Sequence, residues 1–211
     1  MPLHFHEALD PPGEWGLWRI AESETELRSI VTLHPSELLQ LARIKGEARR
    51  REYLAARLLL HYMSGRAHRA ELLKDDHGKP HISDSAFHVS ISHTVGYSAA
   101  IAHPRACGID VQRMVPRIRR LSHKFVSAGE QRQLREAEEL VQLHLLWAAK
   151  EAMYKAYGRR QVDFKQHLTV DLDGKSARLT KDGTVMNFDL WQRVYAGFVL
   201  VGVVESGGTP R

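Results

Sequence analysis

Glu151 lies in a segment, Trp147 through Lys155, whose residue types can grip a metal ion with a phosphate attached. The carboxylate takes the cation, and the flanking Lys150 and Lys155 take the anion. Leu140, Val141, Leu143 and Leu146 precede it at apolar spacing and Gly158 follows, so the pattern predicts a helix. On that helix Trp147, Glu151 and Lys155 fall four apart and line one face. A solvent-exposed Glu–Lys pair has the same spacing and contributes only about 0.2–0.5 kcal/mol, so the segment needs company before it implies a site.

Company comes from upstream. In Cys107-Gly108-Ile109-Asp110-Val111-Gln112 the apolar Ile109 and Val111 alternate with polar Asp110 and Gln112, the period of a half-buried strand. Asp110 and Gln112 then share a face, and Gly108 lets the backbone approach a neighbour closely. One carboxylate from a strand facing another from a helix suits Mg²⁺, which takes one or two protein carboxylates and fills the rest with water and phosphate oxygens. A third segment, Phe87 to Thr94, alternates again and carries Ser92, His93 and Thr94 at its end. Just before it His77-Gly78-Lys79-Pro80 reads as a turn presenting a lysine, and Arg49, Arg50 and Arg51 cluster on a helix expected from about residue 47 to 63.

In this order, Gly78-Lys79-Pro80, Ser92-His93, Gly108-Ile109-Asp110 and Trp147 through Lys155 resemble the 4′-phosphopantetheinyl transferase superfamily, in its longer monomeric form that activates surfactin synthetase. The resemblance implies an Mg²⁺-dependent enzyme that moves phosphopantetheine from its substrate, coenzyme A, to a serine of an acidic acyl or peptidyl carrier protein. It implies metal ligands at Asp110 and Glu151, with Gln112 where the family usually has a second acid. It implies catalytic roles for Glu151 and Lys155, and coenzyme A contacts from Arg51, Lys79, Ser92, His93, Lys150 and Lys155. Its fold would be α+β: two pseudo-symmetric halves, residues 1–104 and 105–211, each a small antiparallel sheet packed on a long helix, with the active site between them. Gln112 also supports a rival reading, a coenzyme A-binding protein on the same fold without efficient chemistry.

The elements needed to position these residues are legible in outline. In the first half, strands are expected at residues 14–20, 87–92 and 97–102, and a short helix at residues 36–41 precedes the long one. In the second, Ser127 and Glu130 form a capping box that opens a helix leading towards Trp147. Strands follow at residues 168–172, 177–180, 184–191 and 196–204, the first two joined through Asp173-Gly174. Strands grouped together rather than alternating with helices favour antiparallel α+β over a parallel sheet. Trp147 is expected to pack on that sheet, residues 158–165 to form a basic surface loop, and the tail from Ser206 to Arg211 to fray.

Composition narrows the class without deciding it. The chain has 211 residues, 43% hydrophobic and 26% charged, with a net charge of +5. That describes an ordinary globular protein, and no apolar run reaches the length of a bilayer span. The first residues lack the basic-then-apolar pattern of a secretory signal, so cytoplasm is the expectation. One cysteine, Cys107, excludes an intramolecular disulfide. The basic clusters also suit nucleic acid, but they lack interleaved aromatics and any finger or helix-turn-helix signature, so that partner is not expected.

Overall fold

The computed structural model describes residues 3–207, so the expected tail lies outside the described residues from residue 208 onward. The chain divides into two compact units, Met1–Pro104 and Arg105–Arg211. Both are α+β with a single antiparallel sheet.

Unit 1 runs β1 (Leu3–Ala8), β2 (Glu14–Arg19), α1 (Glu24–Ile30), α2 (Pro35–Arg43), α3 (Glu47–Ser64), β3 (Leu72–Lys74), β4 (Pro80–Ile82), β5 (His88–Thr94) and β6 (Tyr97–His103). Its sheet order is β1-β2-β6-β5-β4-β3. The long helix α3 buries Leu54, Ala55, Leu58, Leu59 and Met63, residues at helical spacing that pack with Trp18, Val89 and Ala100 of the sheet. Each leucine or methionine among them, fully buried, contributes roughly 1.5–3 kcal/mol. Gly65 at φ 59° ends α3 in the left-handed conformation that side chains resist.

Unit 2 runs β7 (Cys107–Arg113), α4 (Ile118–Leu121), α5 (Ala128–Gln131), α6 (Glu139–Tyr157), β8 (Leu168–Asp171), β9 (Ser176–Lys181), β10 (Thr184–Tyr195) and β11 (Phe198–Glu205), in sheet order β7-β11-β10-β9-β8. Helix α6 packs Leu143, Leu146, Ala149, Met153 and Ala156 into a core completed by Val170, Leu179, Val199 and Val201. The helix opened by Ser127 differs from expectation: the capping box forms, but α5 is one turn of four residues, and the chain is extended at Arg135 before α6 starts.

With β1 set aside, the units follow one path: a strand, short helices, a long helix, then four strands in matching sheet positions. Two details repeat beneath that path. Each long helix crosses its first strand at a glycine. A Cβ on Gly16 would stand 3.1 Å from the Leu59 side chain, and one on Gly108 would stand 1.9 Å from the Ala152 carbonyl oxygen. Each unit also buries a glutamate at the third position of a short helix. Glu37 accepts from the His34 amide, the Leu72 amide and Arg57; Glu130 accepts from the Ser127 amide, the Val170 amide and Lys150. In both units the cation follows the glutamate by twenty residues. Both glutamates thus tie a short helix, a long helix and the next strand together.

Candidate active site

Unit 2 assembles four of the expected residues. On β7, Gly108, Asp110 and Gln112 share the face opposite Val203, Val201 and Val199 of β11, and α6 covers that face. The side-chain-free contact at Gly108 brings α6 onto the strand. Lys155 then reaches back across the interface, where its ammonium donates to Asp110 Oδ1 at 2.7 Å and to the Ile109 carbonyl at 2.9 Å. Asp110 is buried and Lys155 half-buried.

Glu151 stands one turn before Lys155, half-buried, and among the described residues it has no hydrogen-bond or ion-pair partner. Burial pushes its carboxyl above the usual range, the Asp110 charge adds to the rise, and Lys155 opposes it. A carboxyl whose ionisation is opposed by burial and by a neighbouring acid is what a cation relieves. Gln112, half-buried two residues beyond Asp110, adds a neutral oxygen on the same face. No group of three or more His, Cys, Asp or Glu side chains among the described residues is placed to hold a metal ion. The donor set of two carboxylates and an amide fits a hard cation that keeps water or substrate oxygens in its shell.

Lys150 departs from expectation. It is fully buried, and its ammonium donates to the carbonyls of Phe125 and Phe164 and to Glu130, at 2.6, 2.9 and 2.8 Å. All three protons are taken, so no donor remains for a coenzyme phosphate. Burial lowers its proton affinity and Glu130 holds it in place. Glu130 in turn is fully engaged as a cap and an ion partner, which leaves it no part in proton transfer. The segment after α6 is correspondingly less open than a solvated loop: Phe164 contributes a carbonyl to Lys150 and its ring lies 5.5 Å from Trp147. Trp147 packs edge-on to Phe125 at 5.1 Å and lies against the core that α6 shares with the sheet.

Unit 1 holds the remaining four. His93, exposed at the end of β5, contacts Arg49 at the start of α3 and lies 3.4 Å from Glu52. Arg51 donates to the Ile20 carbonyl at 3.2 Å, and Ile20 itself bonds the turn at Gly96 between β5 and β6. Ser92 is buried beside His93. Lys79 is half-buried in the turn before β4, where Asp75 accepts from the Lys79 amide at 2.8 Å and Gly78 adopts φ 85°. Antiparallel pairing of His81 with His88 carries that turn towards the Ser92 end of β5. The start of α3, the end of β5 and the Lys79 turn therefore gather at one end of the sheet.

Two family models match the chain. Residues 106–197 match that of the 4′-phosphopantetheinyl transferase superfamily, and residues 36–103 match that of the 4′-phosphopantetheinyl transferase N-terminal domain. The chain belongs to the 4′-phosphopantetheinyl transferase superfamily. None of the curated proteins compared with it matches. The superfamily's chemistry is phosphopantetheine transfer, so this chain is read as a transferase. The first match takes in Asp110, Gln112, Glu151 and Lys155; the second takes in Arg51, Lys79, Ser92 and His93. Among the described residues of this transferase no helix is long and apolar enough to cross a membrane. Sequence reasoning named Arg49 within the arginine cluster but gave the coenzyme contact to Arg51; it is Arg49 that touches His93, whereas Arg51 turns back to the main chain. The signal was present in helical spacing: Arg49 and Glu52 are three apart on α3, and one ion pair links them.

Proposed function

We propose that this chain transfers 4′-phosphopantetheine from coenzyme A to a serine of an acyl or peptidyl carrier protein, with Mg²⁺ at Asp110 and Glu151. The supporting observation is the Glu151 carboxyl: unpartnered among the described residues, raised in pKa, and in electrostatic contact with Asp110 and Lys155. The serine hydroxyl attacks the β-phosphorus of coenzyme A. Its new P–O bond replaces the bond to the bridging oxygen, and adenosine 3′,5′-bisphosphate leaves. Positioning and charge neutralisation carry most such transfers.

Each residue then has a task. Glu151 accepts the serine proton, a role suited by a carboxyl more basic than an ordinary glutamate's. Lys155 neutralises a pyrophosphate oxygen while remaining tied to Asp110. Gln112 supplies an uncharged oxygen beside the carboxylates. Arg51, Lys79, Ser92 and His93 hold the nucleotide phosphates, with Arg49 added to them and Lys150 removed. Bound Mg²⁺ would supply positive charge to the pyrophosphate oxygens. The chain is read as a cytoplasmic monomer of the longer, surfactin-synthetase-activating type, and the matched N-terminal domain supports that length class.

Intact-mass spectrometry of an apo acyl carrier protein, incubated with the chain, coenzyme A and Mg²⁺, tests the reading. The expected result is a gain of one phosphopantetheine, lost with EDTA. The amide at Gln112 favours one alternative, a coenzyme A-binding protein without transfer; coenzyme A binding with no mass gain on several carriers would establish it instead.

A further inference from the structure

A cavity of about 190 Å³ opens in unit 1, apart from the residues assigned to coenzyme A. It borders Glu14 and Ala102, which pair at one end of the β2–β6 ladder, whereas Arg19 and Tyr97 pair at the other end, where Ile20 and His93 lie. Five residues of strand separate the ends, about 17 Å at roughly 3.4 Å per residue. Leu60, Met63, Leu72, Ile82 and Phe87 supply apolar walls.

Charge distinguishes this cavity from a packing defect. Arg57 and Arg69 both line it, and both bond Glu37, the buried glutamate of unit 1. Two guanidiniums share one carboxylate, so the buried cluster carries one uncompensated positive charge. Burying net charge is costly unless something nearby discharges it. The Tyr53 ring lies 3.2 Å from the Arg57 guanidinium carbon and offsets part of that cost as a neutral π-face; its hydroxyl pKa is pushed up to about 12. Arg57 also keeps donors in hand: its second terminal nitrogen has one long contact, 3.5 Å to Gln40. Arg66 adds a further cation at the rim. The acid that lines the cavity, Glu14, is engaged by His6 at 2.7 Å.

We propose that this cavity binds a small organic monocarboxylate, its carboxylate towards Arg57 and Arg69 and a short aliphatic body against Leu60, Met63 and Phe87. The volume sets the size: it falls below the roughly 300–1,000 Å³ of drug-sized sites, so a body of a few carbons fits and a nucleotide does not. The single surplus charge sets the valence.

Hexanoate is the probe, with hexanamide as its uncharged match, titrated into the whole chain by calorimetry. Binding of hexanoate should saturate at one site, with hexanamide at least about tenfold weaker, the factor that one charge-assisted hydrogen bond supplies. The Met63 methyl signal of methyl-labelled protein should shift with hexanoate, the Met153 signal should not, and excess coenzyme A should leave the shift in place. Filling the cavity by Ala70→Phe should weaken binding about tenfold, and the exposed Arg66→Gln about threefold. Equal affinity for the amide, a stationary Met63 signal, displacement by coenzyme A, or no saturable binding would each overturn the proposal. The Met63 readout uses wild-type protein and so stands even if Ala70→Phe fails to fold.

Discussion

Asp110, Glu151 and Lys155 were legible as a set because each sits where its element's period turns it to one face, of a strand or of a helix. Lys150 was not. It differs from Glu151 by a single helical step of about 100°, and its three partners lie at Phe125, Glu130 and Phe164, which local spacing does not reveal. For Glu151 the raised carboxyl gives a signed prediction. A folded-state pKa above the ordinary value near 4.5 means stability is lost as pH climbs through the raised value, because the folded chain must then carry the charge. Glu151→Gln should therefore melt higher than wild type in EDTA above that window and equally below it. The same variant should slow transfer by about a hundredfold or more, the usual worth of a general base. Identical melting curves at pH 8 would mean that the carboxyl is not held as described. Gln112→Glu adds the missing charge, and calorimetry without coenzyme A should find Mg²⁺ bound on the order of tenfold tighter.

The two long helices and the hairpins between residues 88 and 103 and between 168 and 205 announced themselves through apolar period, glycine stops and turn pairs. The elements missed were short or atypical: β1, rich in histidine, and α1, α4, β3 and β4, of seven or fewer residues. The strands take their order from the ladder or from buried partners such as Glu37, whereas α1 opens on a Ser23–Glu26 capping box, a local signal that went unread. Gly108→Ala tests how much the close crossing of β7 and α6 matters, since its Cβ has no room beside Ala152. Denaturant titration should show a loss of about 1–3 kcal/mol, the cost of overpacking, with transfer falling further as Asp110 shifts relative to α6. Lys150→Met strands the buried Glu130 and should cost about 3–5 kcal/mol. Adding Glu130→Gln should restore part of it, because the buried charge is gone, although the single amide oxygen can accept from only one of the Ser127 and Val170 amides, which bond different carboxylate oxygens. A double variant no more stable than the single one would remove the ion pair from the account.

Across the molecule, net charge of +5 predicts that substrate capture depends on salt. Raising ionic strength from about 0.05 to 0.5 M should raise KM for coenzyme A while leaving kcat nearly level, as screening shortens the reach of exposed cations. Steady-state kinetics across a salt series checks this. The kinship of the halves was invisible in the sequence, because what repeats is a glycine, a buried glutamate and a cation, too few identities to register as a repeat. Aligning the units through Gly16 with Gly108, and Arg57 with Lys150, sets Trp18 opposite Asp110, Leu58 opposite Glu151 and Tyr62 opposite Lys155. The chain thus carries its own control experiment. A substitution at the crossing glycine of unit 1 disturbs the shared scaffold where Trp18 stands in the place of Asp110. The same substitution in unit 2 disturbs scaffold and acids together. Comparing the two within one polypeptide separates what the architecture needs from what the reaction needs.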